Sequence, residues 1–481
     1  MKKYDYDKLS KTYVNGSNDE SDDVNPSTGK LITKIKSMNA SDTKKAIELA
    51  SESFQKWAQV PPPVRGRKLL KAGEIMEQEK DLLAVLMTEE EGKTYNESLS
   101  EVIRSYELLK FYGALAFKEG GITLPSNDVD TRIFTLREPI GTVGIISPWN
   151  FPLSIPVWKA APAIAMGNSI VLKPASKTPL IAAAFLDILR RADIPENVVS
   201  LVVGQGKSVG DVIVKDEMVS AISFTGSMPT GKGIYKALAN KEKSTRIQLE
   251  LGGKNALYVD DSADLSLAVK LAVKGAFGLT GQSCTATSRL IVHKDIYEEI
   301  KKAVISEVRN LKVGDGLSGA DMGPVVDKNQ LNTDLEYIDS AINDGADLLY
   351  GGALISDNPS GLFLSPTVFD SVTPDMRLFK EEVFGPVLAM TSAENDNDAV
   401  GLVNSVTYGH TAGIVAKDIT KINKFITHVE AGVIKVNKPT VGLELQAPFG
   451  TFKDSGANTW KEMGEEGMSF YSREKTVYVG W

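Results

Sequence analysis

The chain has 481 residues, which is too long for one hydrophobic core, so two or three domains are expected. Its composition is that of a globular protein, and its net charge of −8 is spread along the chain, which gives no nucleic-acid footprint. The single cysteine excludes an internal disulfide framework and a cysteine-based zinc site, and the three scattered histidines lack metal-ligand spacing, so we predict no metal.

The N-terminus and one uncharged segment bear on where the protein works. Residues 1–7 carry positive charge but no apolar run follows, so no secretory signal is predicted. Residues 140–158 carry no charge and are about long enough to span a bilayer, but Pro148, Pro152 and Pro156 would break a helix. We predict a buried strand that runs into an active-site turn there. A lone thiol suits a reducing compartment, so we expect a cytoplasmic protein.

Strands and helices alternate along the first half of the chain. Such short buried strands with crossover helices are typical of an α/β protein with a doubly wound nucleotide-binding sheet. The predicted helices cover 43–57, 62–91, 97–117, 158–166 and 180–192, one opens after the glycines at 204, 206 and 210, and another starts near 230. The predicted strands cover 142–146, 169–172, 198–203 and 219–224.

A second α/β unit follows Glu250. It carries a predicted helix at 265–277, a loop with Cys284, a strand at 289–292 and a helix at 296–311. Two further segments, 131–137 and 476–481, alternate like strands, and uncovered strand edges invite pairing between subunits.

A glycine that follows a strand and opens a helix lets a phosphate approach backbone N–H groups. The segment Phe224-Thr225-Gly226-Ser227 fits this requirement. The glycines at 204, 206 and 210 do not have the GxGxxG spacing, so they are weaker evidence. Each cluster could also be a structural turn.

Donors and positive charge follow the second strand of this sheet, in Lys173-Pro174-Ala175-Ser176-Lys177. An acidic residue here would bind the ribose hydroxyls of NAD and repel a 2′-phosphate. The observed residues favour NADP over NAD. The alternative is that Ser176 merely caps the next helix, which would leave the choice of cofactor open.

Three side chains have the chemistry for oxidising an aldehyde. Cys284 lies among small residues in Gly281-Gln282-Ser283-Cys284-Thr285-Ala286 and needs activation, which a loop entering a helix would supply. Asn150 can stabilise an oxyanion together with the Cys284 N–H. Glu250 is the expected base, since no histidine occurs in a recognisable dyad. The structural alternatives are a packed core thiol for Cys284 and a salt bridge of Glu250 with Lys254 or Lys173.

Four motifs together resemble the aldehyde dehydrogenase superfamily over essentially the whole chain: Phe-Thr-Gly-Ser at 224–227, Glu-Leu-Gly-Gly-Lys at 250–254, the Gln282-Ser283-Cys284 loop and Glu-Glu-Val-Phe-Gly-Pro at 381–386. The resemblance implies Cys284 as nucleophile, Glu250 as general base and Asn150 in the oxyanion hole.

The resemblance also implies a cofactor site and a fold. Lys173 and Glu381 would lie on the cofactor riboses, and Phe384 beside the nicotinamide ribose. Trp149, Gly226, Ser227 and Leu251 would lie near the cofactor, and Glu462 is either a proton relay or a helix salt bridge. The implied domains are a cofactor-binding domain (1–118 and 138–251), a catalytic domain (252–450) and an arm (119–137 and 470–481) that pairs subunits into dimers or tetramers.

Three segments, 435–446, 284–289 and 460–481, resemble the α-ketoglutarate semialdehyde (2,5-dioxopentanoate) dehydrogenases of sugar-acid oxidation, which implies 2-oxoglutarate as product. Succinate semialdehyde, glyceraldehyde and a broader range of aldehydes stay open as substrates. The substrate carboxylate needs a cationic or multi-donor partner. Lys110, Lys118 and Lys438 are candidates, whereas Arg289 begins a strand and is as readily structural.

Three other functions compete with this one. A dehydrogenase that transfers its acyl group to coenzyme A would need no water-activating base, and the presence of Glu250 argues against it. A cysteine hydrolase should show Cys–His pairing, for which the sequence offers no motif. A binding protein on a retired enzyme scaffold should have lost Cys284, Glu250 or Asn150.

Overall fold

A computed structural model describes residues 2–14, 16–17, 20–118, 120–355 and 361–481. Residue 1 of the predicted N-terminal segment and residue 119, where the predicted arm begins, lie outside the described residues. The helices are α1 (Tyr6–Tyr13), α2 (Ala40–Trp57), α3 (Pro62–Gln78), α4 (Lys80–Glu91), α5 (Tyr95–Leu115), α6 (Ser154–Met166), α7 (Pro179–Arg191), α8 (Asp211–Lys215), α9 (Met228–Ala239), α10 (Leu265–Phe277), α11 (Tyr297–Val308), α12 (Lys328–Asn343), α13 (Arg377–Lys380), α14 (Asp396–Asn404), α15 (Ile419–His428) and α16 (Glu466–Phe470).

The strands are β1 (Glu20–Val24), β2 (Leu31–Lys36), β3 (Thr123–Leu124), β4 (Thr131–Pro139), β5 (Thr142–Ile146), β6 (Ser169–Lys173), β7 (Val199–Leu201), β8 (Val219–Thr225), β9 (Arg246–Glu250), β10 (Asn255–Val259), β11 (Thr287–His293), β12 (Asp347–Tyr350), β13 (Thr367–Asp370), β14 (Val387–Ala393), β15 (Tyr408–Gly409), β16 (Thr411–Val415), β17 (Val433–Val436), β18 (Phe452–Lys453) and β19 (Ser472–Gly480).

The first sheet is parallel and has the strand order β7-β6-β5-β8-β9, which confirms the predicted doubly wound fold. Its central strands are buried on both faces, so their apolar side chains alternate between two cores. Ile170 and Leu172 join the core under α6 and α7, whereas Val171 joins the core under α2, α8 and α9.

The strand order of this sheet fixes where a ligand can bind. The chain passes from β5 to β6 and β7 on one side, then returns to β8 and β9 on the other. The crevice beyond the carboxyl ends of β5 and β8 is therefore the topological switch point, where open α/β sheets bind their ligands. The loops that begin at Ser147 and Gly226 leave the sheet at this edge.

The second sheet has seven strands in the order β12-β13-β14-β11-β10-β16-β17, and it is parallel except for β12 at its edge. Helices α10 and α11 cover one face, and α14 and α15 cover the other. The cysteine loop connects α10 to β11, next to the middle of this sheet.

The two alternating segments predicted as strands pair with each other. β4 and β19 are antiparallel from Pro139 opposite Ser472 to Thr131 opposite Gly480, and β3 extends the sheet. Tyr478 and Trp481 are 69% and 72% exposed at its end.

Three predicted elements differ from the structure. The helix predicted over 62–91 is two helices that meet at Glu79, whose carboxylate is held by Arg191 and by the Tyr4 hydroxyl. The glycines at 206 and 210 bound a single π-helical turn ahead of the short α8. The uncharged segment is β5, a turn and α6, and α6 begins four residues before the predicted 158. Across the described ranges, no helix has the length and apolar character needed to cross a membrane.

Candidate active site

Cys284 lies in a tight loop rather than at a helix end. A 3-10 turn over Gly278–Gly281 follows α10, and β11 begins at Thr287, so the expectation that the loop enters a helix is wrong. Gly281 has a φ of 67°, and a Cβ there would lie 2.2 Å from the Gly385 carbonyl oxygen. Glycine is therefore required for the loop to pass beneath the 381–386 motif.

The Cys284 thiol is half-buried and lines a cavity of about 540 Å³, so it is not a packed core thiol. Phe151, Trp158 and Phe449 contribute aromatic walls to this cavity. Burial, together with the neighbouring Glu250 carboxylate, raises the pKa of the Cys284 thiol well above its ordinary value. The thiol must therefore lose its proton before the sulfur can attack.

Glu250 ends β9 and is 3% exposed. Its Oε1 contacts Nε2 of His410, while Oε2 has no hydrogen-bond partner among the described residues. Neither of the predicted salt bridges forms, because Lys173 donates to the Pro174 carbonyl (3.2 Å) and the Lys254 ammonium has no partner in the described part of the chain. One carboxylate oxygen is thus held, and the other is free to accept a proton.

His410 was not among the site residues predicted from the sequence. Its side chain is fully buried between β15 and β16, with the ring packed on Phe449 at 5.2 Å between centroids. One ligand atom each of Glu250, Cys284 and His410 lies within 4.8 Å of the other two. The expectation that no histidine occurs in a recognisable dyad did not anticipate this contact, which joins residues 160 apart in the sequence. The only sequence signal was a polar residue directly before the apolar strand Thr411–Val415.

Asn150 follows β5 and is 2% exposed. Its side-chain Nδ2 donates to the Gln282 carbonyl oxygen (3.0 Å), which fixes the amide against the cysteine loop, and its second N–H makes no hydrogen bond to a described residue. Lys93 donates to the Asn150 backbone carbonyl (2.6 Å) and holds the turn in place. The Cys284 backbone N–H makes no hydrogen bond to any described residue. Two donors are thus available beside the thiol for an oxyanion.

The predicted phosphate-binding residues lie at the start of α9. Ser227 precedes the helix and makes no side-chain cap, so the first-turn N–H groups are available to an anion. A Cβ on Gly226 would lie 2.7 Å from the Phe224 ring. Leu251 lies on the other side of the site, and a Cβ on Gly231 would lie 2.4 Å from the Leu251 side chain. A side chain at either position would therefore displace the Phe224 ring or the Leu251 side chain.

Lys173, Pro174, Ala175 and Ser176 leave the carboxyl end of β6. Lys173 is 6% exposed, and burial lowers its pKa to about 8. Among the described residues its ammonium donates to only one carbonyl, so its other N–H groups are available to a ligand. Ser176 is exposed and does not cap α7, whose N-cap is Thr178, so the capping alternative is wrong.

Lys177 is not available as a free charge. It pairs with Asp327 at 2.7 Å and lies over the Trp149 ring. Trp149 also makes an edge-to-face contact with Phe384, at 5.4 Å between ring centroids. This contact brings together the turn after β5 and the 381–386 motif.

The remaining predicted residues have partners within the chain. Glu381 accepts from the Tyr337 hydroxyl (2.8 Å) and from Arg377 Nε (2.9 Å), so one of its two oxygens is engaged. Glu462 pairs with Lys159 of α6 and is not itself in a helix. Burial raises the pKa of Glu462. Its second oxygen has no partner among the described residues, so it fits both a salt bridge and a proton relay.

This arrangement agrees with what is found by comparison with known proteins. The model of the aldehyde dehydrogenase family matches residues 13–477. The chain belongs to the aldehyde dehydrogenase family. The 2,5-dioxopentanoate dehydrogenase of Saccharolobus solfataricus is 60% identical over 477 residues, which cover 99% of each chain. The α-ketoglutarate semialdehyde dehydrogenase of Haloferax volcanii is 41% identical over 98% of each chain.

A solved structure of this family has the same fold. The crystal structure of betaine aldehyde dehydrogenase from Staphylococcus aureus in complex with NAD+ superimposes with a TM-score of 0.94 at 33% identity. It covers 98% of this aldehyde dehydrogenase and 96% of the S. aureus chain. The predicted fold and the predicted class of enzyme are therefore confirmed.

The cations considered for a substrate carboxylate do not lie in the cavity. Arg289 is buried and donates to the carbonyls of Lys254, Leu402 and Val403, so it is structural. Lys110 pairs with Glu77 and Lys118 with Glu465. Lys438 is exposed and does not line the cavity. A different residue must bind such a carboxylate.

Proposed function

We propose that this aldehyde dehydrogenase oxidises α-ketoglutarate semialdehyde (2,5-dioxopentanoate) to 2-oxoglutarate with a nicotinamide cofactor. The observation that carries the proposal is a thiol at one cavity, with a carboxylate and an amide beside it, in a chain that is 60% identical to a 2,5-dioxopentanoate dehydrogenase over its full length. Succinate semialdehyde, glyceraldehyde and a broader range of aldehydes are the competing substrates.

In the first step, the Cys284 thiol releases its proton to solvent and the sulfur bonds to the aldehyde carbon. The carbonyl oxygen becomes an oxyanion, which accepts hydrogen bonds from the free Asn150 N–H and from the Cys284 backbone N–H. The nicotinamide cofactor, when bound, accepts the hydride that leaves this carbon. The product on the enzyme is a thioester of Cys284.

In the second step, Glu250 removes a proton from a water molecule, which attacks the thioester carbon. The carbon–sulfur bond breaks, the carboxylic acid leaves, and the sulfur regains its proton. Because Oε2 of Glu250 has no partner among the described residues, this oxygen is the one that we assign to the proton transfer. Hydrolysis by water also distinguishes the enzyme from one that transfers its acyl group to coenzyme A.

The residues at the switch point fit a dinucleotide. Lys173 has N–H donors available for ribose hydroxyls. The start of α9 offers backbone N–H groups to the pyrophosphate. Trp149, in contact with Phe384, lies toward the cysteine loop. We propose a preference for NADP, supported by the Lys173 charge and the exposed Ser176 hydroxyl. Lys177 contributes less to this preference for NADP than its charge suggests, since it is paired with Asp327.

We also propose that the domain boundaries follow those predicted from the sequence. The arm formed by β3, β4 and β19 then pairs subunits into a dimer or tetramer, because its edges and its large apolar side chains are exposed. Light scattering on the intact protein measures the assembly. A reactive unpaired thiol is compatible with the cytoplasm.

The deciding experiment is a panel of aldehydes assayed by reduced-cofactor absorbance, with NAD and NADP separately. We expect the highest kcat/KM with α-ketoglutarate semialdehyde and NADP, and no stimulation by coenzyme A. A higher kcat/KM with succinate semialdehyde, glyceraldehyde or an uncharged aldehyde would contradict the substrate, and a higher value with NAD would contradict the cofactor preference.

A further inference from the structure

Arg104 is a cationic side chain of the cavity that, unlike Lys270 and Lys274, is half-buried. Arg104 lies in the middle of α5, which forms the wall that also includes Ser100 and Glu101. Within the described residues, the Arg104 guanidinium makes no hydrogen bond and no ion pair. A half-buried guanidinium carries up to five donors, and leaving them without acceptors is costly.

The nearby carboxylates do not take this role. Glu101 lies one helical turn before Arg104, but its Oε2 accepts from Lys93 (2.7 Å) and its Oε1 accepts from the backbone N–H groups that start α6 (2.9 Å each). Glu444 and Glu107 act on Arg104 through charge alone, without a hydrogen bond. Burial outweighs these charges and lowers the pKa of Arg104. The side chain is thus kept at a net electrostatic cost.

We propose that Arg104 binds the carboxylate of the substrate in the cavity that Cys284 also lines. A planar guanidinium suits a carboxylate, to which it donates two parallel hydrogen bonds. The aromatic walls from Phe151, Trp158 and Phe449 then enclose the carbon chain between the two ends. The inference rests on the proposed function, and it defines the substrate class as aldehydes with a carboxylate at the opposite end.

The two other cations of this cavity, Lys270 and Lys274, are exposed side chains of α10. Exposed ammonium groups are well hydrated and hold a carboxylate only weakly. They raise the local concentration of an anionic substrate without fixing its position. Arg104 is therefore the group that we assign to recognition.

The test compares Arg104→Gln and Arg104→Lys with the wild type on α-ketoglutarate semialdehyde and on pentanal, which has the same chain length but no carboxylate. Loss of hydrogen bonds to a charged group predicts that Arg104→Gln lowers kcat/KM for the semialdehyde about 10- to 100-fold, mainly through KM. Arg104→Lys should retain part of the kcat/KM for the semialdehyde. In both variants, kcat/KM for pentanal should stay within about twofold of the wild-type value. Lys110→Gln, on the same helix but outside the cavity, is the matched control.

The outcomes separate this inference from the proposed function. If the Arg104 variants lose kcat/KM equally with both aldehydes, or lose none with the semialdehyde, the role of Arg104 is overturned. The proposed substrate still stands in that case if the wild-type enzyme prefers the semialdehyde. A wild-type enzyme that favours pentanal would instead overturn the proposed substrate. A thermal unfolding midpoint close to the wild-type value shows that each variant is folded.

A second inference comes independently from His410. Its Nε2 contacts Oε1 of Glu250, and its Nδ1 lies 3.3 Å from the Thr411 hydroxyl, so both ring nitrogens have neighbours. Phe449 and the backbone near Gly253 enclose the ring, where a Cβ on Gly253 would lie 3.0 Å from the His410 Cβ. The imidazole cannot turn away without disturbing this packing.

We infer that His410 is a positioning residue for Glu250. By holding Oε1, it orients the carboxylate so that Oε2 faces the water that attacks the thioester. The inference rests on the proposed role of Glu250 as base. It predicts that His410 affects hydrolysis of the acyl-enzyme more than its formation.

The test uses p-nitrophenyl acetate without cofactor, since an ester acylates a reactive cysteine and releases a coloured product. In His410→Leu, we expect the burst of p-nitrophenol to be retained while the steady-state rate falls about 10- to 100-fold. His410→Gln keeps a donor near Oε1 and should recover most of that rate. Equal loss of burst and steady state, no change in either, or no recovery in His410→Gln would overturn the inference. A wild-type enzyme without any burst would instead contradict the proposed Cys284 chemistry.

Discussion

Two sets of buried charged side chains lie on either side of the Asn150 turn, and they differ in how fully their polar atoms are hydrogen-bonded. The Lys93–Glu101 pair uses its polar atoms fully, because Glu101 accepts from Lys93 and from two α6 N–H groups while Lys93 also holds the Asn150 carbonyl. Around Cys284, by contrast, one oxygen of Glu250 and the Lys254 ammonium lack partners among the described residues.

The difference separates structural from reactive charge. A satisfied buried pair fixes the position of the turn, whereas an unsatisfied buried polar group costs roughly 1–3 kcal/mol that the rest of the fold must offset. Burial lowers the pKa of Lys254 to about 7, which shows how poorly this site supports a charge without a partner. Changes at the reactive site should therefore reduce activity and spare stability. Changes at the satisfied pair should mainly reduce stability.

The largest effect is expected from Cys284→Ser. A hydroxyl is a far weaker nucleophile than a thiolate, so dehydrogenase activity should fall at least about 10³-fold. The thermal unfolding midpoint and cofactor binding should stay close to wild-type values. Dehydrogenase turnover that survives this substitution would show that the sulfur does not form the covalent intermediate.

The next effect is expected from Asn150→Ala. Removal of one oxyanion donor should lower kcat about 10²- to 10³-fold. The protein should remain folded, because Lys93 binds the backbone carbonyl of residue 150 and not its side chain. Steady-state kinetics with the semialdehyde measures the effect, and a change confined to KM would argue against the oxyanion role.

The satisfied pair should show the opposite behaviour in Glu101→Gln. Breaking a buried ion pair leaves the Lys93 ammonium with only the Glu91 carboxylate, 3.7 Å away, and should lower the free energy of unfolding by about 3–5 kcal/mol. The exposed pair formed by Glu77 and Lys110 supplies a matched control, since Glu77→Gln should cost no more than about 1 kcal/mol. Urea denaturation of both variants tests the difference, and equal effects would contradict it.

The smallest effect concerns the pH dependence of the Cys284 thiol. Burial and the Glu250 carboxylate raise its pKa, so the thiolate fraction and the rate of alkylation by iodoacetamide should rise with pH above neutrality. In Glu250→Gln, the carboxylate charge is lost and the pKa of Cys284 should fall. The midpoint of alkylation should then move to lower pH. An unchanged or higher midpoint would show that Glu250 does not act on the thiol.

The sequence predicted the frame of this site well, and the reason is local. Strands β5, β6 and β8 are apolar runs buried on both faces and bounded by turns, so their predicted bounds agree with the structure to within one residue. The motif residues follow directly from the carboxyl ends of strands, which places them at one edge of the sheet.

The features that were missed depend on contacts between distant parts of the chain. His410 meets Glu250 across 160 residues, and no local pattern encodes that contact. Glu79, at which α3 and α4 meet, is bound by Arg191, which lies 112 residues away. Arg104 occurs in an ordinary amphipathic helix, and only the fold shows that its side chain reaches the cavity of Cys284.

The most direct test of the account is to trap the acyl-enzyme. The Glu250→Gln variant, mixed with α-ketoglutarate semialdehyde and cofactor and then quenched in acid, should carry the substrate acyl group as a thioester on the peptide that contains Cys284. Peptide mass spectrometry should find about one acyl group per chain, formed together with one equivalent of reduced cofactor. Reduced cofactor without an adduct on Cys284, or an adduct on another residue, would contradict the account.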